Sequence, residues 1–110
     1  MKLEGMPFTV TDWNRISAIE HKGRMGTSFW HTFEEGGLRV RVVDYSPGFE
    51  SDHWCPRGHI LYVLEGELRI ALKSGAVHKL GRGMGFTAGD DESDPHSAAS
   101  PSGARVFIVD

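Results

Sequence analysis

The stretch Gly48–Gly66, GFESDHWCPRGHILYVLEG, decides how the chain is read. Three residues of metal-ligand type, His53, Cys55 and His59, fall within seven positions of it. His53 and Cys55 are two apart, so in extended backbone both side chains leave the same face. Gly58 lets the chain bend before His59-Ile60-Leu61-Tyr62-Val63-Leu64, an apolar run that reads as a central strand covered on both faces. A fourth residue of ligand type, His96, follows Pro95 late in the sequence. Two ligands from one strand end, one from the start of the next strand and one from a distant hairpin can converge inside a small barrel.

The flanking sequence supports such a barrel. Fourteen glycines and five prolines in 110 residues punctuate the chain as an all-β fold with many turns requires. Thr27–Phe33 is aromatic and β-branched and reads as a strand. Glu34–Gly37 is a hairpin turn, and Leu38–Tyr45 returns, with Arg39 and Arg41 alternating against Leu38, Val40 and Val42 as in a half-buried strand. Glu65-Gly66-Glu67 reads as a turn, after which Leu68–Leu72 pairs back. Ala76–Leu80, Phe86–Ala88 and Ala104–Val109 are further strands, and residues 90–94 form an acidic, solvated loop before His96. Eight or nine short strands with turns every eight to twelve residues indicate a sandwich or barrel. Residues 1–26 read as an N-terminal arm and turn, in which Thr11 or Asp12 caps a helical turn and Ile16 and Ile19 are anchors. Residues 27–110 form the barrel, giving one domain overall, which suits the length.

Composition narrows the function classes. An apolar content of 39% is that of a folded domain, and a net charge of −3 without a basic stripe argues against nucleic-acid binding. No apolar run reaches membrane-spanning length, and the first ten residues lack the apolar stretch of a signal peptide. One cysteine cannot form an internal disulfide, and its liganding context suits a reducing, cytoplasmic compartment.

The decisive stretch resembles the first motif of the cupins: a Gly, then His-x-His, a Glu and a closing Gly at fixed spacings. Gly48, His53, Cys55, His59 and Gly66 take these places, with Cys55 standing for the second His and His59 for the Glu. The interval from Gly48 to His53 is one residue short. His96 is similar to the single His of the second cupin motif. Asp52-His53-Trp54-Cys55 with Gly58-His59 resembles a group of small bacterial cupins named for a D/H/C/W motif. The resemblance covers about Thr27 to Asp110 and implies a jelly-roll barrel, a double-stranded β-helix, with His53, Cys55, His59 and His96 as metal ligands. It also implies pairing of two copies into a homodimer.

Imidazole and thiolate donors favour zinc, iron, nickel, cobalt or copper, with zinc suited to a closed four-ligand shell and iron or nickel to an open three-His site. The bland alternatives are Cys55 as a small buried hydrophobe, His59 as a satisfied core residue and His96 as a loop residue. Asp52 is placed to orient an imidazole, Trp30, Tyr45 and Trp54 to line a pocket, and His31 to act structurally. Asp52, Glu50 and Tyr62 are the nearby candidates for a general base. Three roles follow: a metal-dependent cupin enzyme of oxygenase or isomerase type acting on a small polar metabolite, a non-catalytic metal-assisted sensor or carrier of a sugar or acid, and a barrel that uses metal for stability alone. The sequence names neither substrate nor reaction.

Overall fold

A computed structural model describes residues 3–110, so Met1 and Lys2 of the N-terminal arm lie outside the described residues. Among the described residues, nine strands follow one 3-10 turn, Trp13–Arg15. They are β1 (Ile19–Lys22), β2 (Thr27–Glu35), β3 (Leu38–Tyr45), β4 (Phe49–Glu50), β5 (His59–Leu72), β6 (Val77–Gly81), β7 (Gly85–Ala88), β8 (His96–Ser100) and β9 (Ala104–Val109). The expected all-β barrel is the observed architecture, with Asp12 rather than Thr11 capping the turn by accepting from the Asn14 amide.

The barrel has two walls that share one strand. The first wall runs β1-β2-β3-β9-β5-β7 and the second β4-β8-β5-β6, all pairs antiparallel. β5 belongs to both, which corrects the turn expected at Glu65-Gly66-Glu67. The chain does not reverse there: it bulges between Val63 and Glu65 and passes into the second wall. Gly66 makes the passage with φ of +80°, and a side chain there would collide with the Gly103 carbonyl. A turn and a bulge use the same glycine signal, so local sequence does not separate them.

Side-chain alternation then assigns the faces. Val43, Leu61, Val63, Leu68, Ile70, Leu80, Val106 and Ile108 meet in the core between the walls. Each such aliphatic side chain, fully buried, contributes about 1.5–3 kcal/mol. The outward residues of β5 are not covered: Ile60, Tyr62 and Leu64 are 46%, 49% and 36% exposed. This overturns the reading of a strand buried on both faces, since an apolar run does not reveal that only every second residue meets the core. Ile19 is also exposed rather than an anchor, because residues 19–22 form an edge strand paired with β2.

The charged face of β3 is the larger correction. Arg39 and Arg41 share their face with Val43 and Tyr45 and point inward; Arg41 is only 4% exposed. On β9 the same two-residue period carries Val106 and Ile108 inward and continues to Asp110, whose side chain is 5% exposed. One end of the barrel is therefore packed with aliphatic groups and the other with charge. Among the described residues, no helix is long and apolar enough to cross a membrane.

Candidate metal centre

Local geometry brings three of the four sequence-derived ligands together. Cys55 and His96 face one another across an isolated antiparallel bridge, Cys55 N donating to His96 O at 2.7 Å and His96 N to Cys55 O at 3.0 Å. His59 opens β5 on its inward face. It is positioned by the preceding Gly58, whose amide donates to Asp90 Oδ1 at 2.7 Å and which lies too close to the Ala88 carbonyl to carry a side chain. Asp90 and Asp94 are thus staples rather than idle solvated charge; Asp94 accepts from the Ser74 amide and hydroxyl at 2.9 and 3.0 Å.

Donor atoms of Cys55, His59 and His96 all lie within 4.8 Å of one another. Cys55 Sγ is 3.7 Å from His59 Nε2. A tetrahedral zinc with ordinary Zn–S and Zn–N bonds has a sulfur–nitrogen edge of about 3.6 Å. The spacing therefore fits one ion, and the soft-to-borderline donor set fits a transition metal rather than calcium or magnesium. The histidine rings are wedged nearly perpendicular, with centroids 5.0 Å apart, and Phe86 packs on both.

His53 stands apart from this cluster. Its side chain is 71% exposed, and Nδ1 donates to Asp52 Oδ1 at 2.7 Å, which is the orienting role expected of Asp52. His53 nevertheless lines the same cavity as the other three. Burial pushes the His96 imidazolium pKa down, and the charge of nearby His53 adds to the effect.

His59 is backed by a carboxylate that the sequence reading did not find. Asp110 Oδ2 lies 3.3 Å from His59 Nδ1, although the angle is too poor for a hydrogen bond. Burial lowers the His59 pKa to about 4 against the opposing pull of Asp110, with His96 and Arg41 lowering it further. The ring is thus neutral near pH 7, the form that ligates a metal. Asp110 accepts from Arg39 Nε and Nη2 at 3.0 and 2.7 Å, and Arg41 Nη2 approaches at 3.4 Å. Burial raises the carboxyl pKa, but the Arg39 bonds and the charges of Arg41, Arg39 and His59 outweigh it, leaving Asp110 below its usual range.

The donors open on a cavity of about 580 Å³ lined by Trp30, Arg39, Arg41, Tyr45 and the four ligand-type residues, among others. That volume is in the range of small-molecule sites. Trp30 and Tyr45 fulfil the pocket expectation, whereas Trp54 is 43% exposed and does not line it. His21 stacks on Trp30, the ring centroids 3.9 Å apart. His31 is structural, its Nδ1 donating to the Ile16 carbonyl at 2.7 Å. Of the base candidates, Asp52 reaches the cavity, Tyr62 faces outward and Glu50 is paired with Arg24.

No protein-family model and no curated protein matches the chain. Solved structures do match it in fold. A predicted oxalate decarboxylase from Thermotoga maritima aligns with a TM-score of 0.77 at 16% identity, over 92% of this chain and 96% of that one. Ectoine synthase from P. lautus aligns with a TM-score of 0.73 at 18% identity, over 93% and 76%. An RmlC-like cupin from Shewanella frigidimarina aligns at 0.66 with 20% identity, over 97% and 89%. At such identities the likeness is one of fold, and it agrees with the two-walled antiparallel barrel. The chain has the cupin fold.

Proposed function

We propose that this chain is a small metal-dependent cupin that holds one divalent transition metal through Cys55, His59 and His96, with zinc the best match. The observation that carries the reading is the convergence of these three donors at the wall of an open cavity, with a Cys55–His59 separation close to a zinc tetrahedral edge. In the alternative, sealed shell, His53 is the fourth ligand, arriving from the cavity rim on releasing Asp52. A bound metal with a free position supplies a Lewis-acid site for a small polar metabolite. Around it this chain's own residues set the environment: Phe86 fixes the two imidazoles, Asp110 backs His59, and Trp30 and Tyr45 wall the cavity. Exposure of His53 favours an open three-donor site over a shell sealed by four. The single thiol as ligand supports a reducing, cytoplasmic setting. The Asp52-His53-Trp54-Cys55 sequence supports a place among the D/H/C/W cupins. The outward strip Ile60, Tyr62 and Leu64 supports pairing with a second copy, which light scattering tests.

The deciding experiment is metal content by mass spectrometry on untagged protein purified without added metal, for wild type, Cys55→Ser, His59→Ala, His96→Ala and His53→Ala. About one equivalent in wild type, lost from the first three variants and only weakened in the last, is the expected result. Unchanged stoichiometry in the Cys55, His59 and His96 variants would sink the assignment. Loss in His53→Ala as complete as in the others would favour the sealed shell, and with it a carrier or structural role.

A further inference from the structure

The cavity has a charge that the metal reading does not use. Its lining includes Lys22, Arg39, Arg41 and Arg57 but only one carboxylate, Asp52, although the chain as a whole carries a net charge of −3. With Asp110 counted behind the arginines, cations still outnumber carboxylates two to one.

Arg41 is the buried cation of this lining, and its charge is only partly compensated. It is 4% exposed, and its nearest carboxylate is Asp110 at 3.4 Å. Both Asp110 oxygens already accept from Arg39, at 3.0 and 2.7 Å, so one carboxylate is shared between two guanidinium groups. Arg41 Nε has no hydrogen-bond acceptor among the described residues. The group sits over Trp30, its Cζ 4.4 Å from the ring centroid, and the indole is held in turn by its Nε1 donating to Ser28 Oγ at 2.9 Å. A desolvated cation without a full counter-ion is costly, and an anion delivered to it by a ligand relieves that cost. Asp110 contacts both Arg41 and His59, so this cation stands one carboxylate away from the metal donors.

We propose that Arg41, stacked on Trp30, is the anion-binding residue of the cavity, and that the ligand is a small organic acid whose carboxylate pairs with Arg41 while a second oxygen faces the metal donors. A carboxylate matches the planar guanidinium fork, and its single negative charge suits a cation that Asp110 already partly compensates better than the higher charge of phosphate does. The second contact rests on the metal reading given above; the Arg41 contact does not.

The test is calorimetric titration of malonate, inorganic phosphate and the uncharged analogue malonamide into zinc-loaded wild type, Arg41→Gln and Arg41→Lys. Zinc content is measured on each sample, and metal-free wild type and its Arg41 variants are titrated in parallel. Malonate is expected to bind wild type in preference to malonamide and phosphate. Arg41→Gln is expected to weaken malonate about tenfold or more at unchanged zinc content, with Arg41→Lys between the two. Equal malonate affinity in wild type and Arg41→Gln overturns the proposal, as does a preference for phosphate over malonate. Should Arg41→Gln not fold, wild type decides through its ligands: equal affinity for malonate and malonamide overturns the proposal. Protein that takes up no zinc yet binds malonate through Arg41 upholds the anion site and removes the metal reading. Protein that binds zinc but no malonate does the reverse.

Discussion

Cys55 and His96 are tied to each other through backbone rather than side chain, exchanging hydrogen bonds of 2.7 and 3.0 Å across an isolated bridge. Two members of the proposed metal site, from distant parts of the sequence, are thereby held together by the barrel itself. Such preorganisation separates the metal affinity of the site from the stability of the barrel that carries it.

Cys55→Ser tests that separation. The bridge uses only main-chain groups, so it survives the substitution, and Cys55 is only partly buried. Melting followed by circular dichroism in the presence of a chelator should differ from wild type by no more than about 1 kcal/mol. Without chelator the wild type should gain stability from zinc and the variant little, because an ion that binds only the folded state stabilises it by mass action. A variant that gains as much as wild type would exclude the thiol as ligand.

Asp110→Asn removes the carboxylate that Arg39 and Arg41 share and that backs His59. Breaking a buried charge pair on one side costs about 3–5 kcal/mol. The loss here should fall near the lower end, since Arg39 is partly exposed and keeps access to water. Urea unfolding of metal-free protein measures it. A midpoint equal to wild type would show that the two arginines find other acceptors.

The metal-free protein should lose stability in mild acid. Burial holds the folded His59 pKa near 4, against an ordinary value of 6.5. Above pH 6.5 the ring is neutral in both states, and the comparison carries no penalty. As pH falls from 6.5 toward 4 the unfolded chain takes up a proton that the folded chain does not, so stability is lost through that window, by about 3 kcal/mol in total. Urea midpoints of metal-free wild type and His59→Gln across this window check the sign; the variant should show a flatter profile. Equal slopes would exclude His59 as the titrating group.

Gly66→Ala should be among the costly single-methyl additions. Its φ of +80° is unfavourable for alanine, and the new methyl would meet the Gly103 carbonyl and Ala104. We expect a loss of more than about 2 kcal/mol. Gly37→Ala, at a hairpin position with open space around it and no positive φ, should change stability little. Similar midpoints for the two variants would show that β5 does not depend on the glycine to change walls.

The sequence by itself determined the all-β class, the bounds of β3 and β9, and a short segment rich in residues of metal-ligand type. It did so because a two-residue period, hairpin glycines and motif spacing are local properties. It determined the resemblance to cupins for the same reason, since His53, Cys55, His59 and Gly66 keep a fixed interval within one stretch. What only the tertiary structure decided was which face of each strand meets the cavity. Alternation divides β3 into Arg39-Arg41-Val43 and Val40-Val42 but does not say which set points inward; the polar set does, because β9 brings Asp110 opposite it. Gly66 looked like a turn and is a bend within one long strand, because only the partners β9 and β8 reveal that the chain runs on. His53 and Cys55, equivalent in the sequence, part company for a related reason: the bridge to His96 holds Cys55 at the cluster, while among the described residues no strand partner holds His53, which turns to its neighbour Asp52.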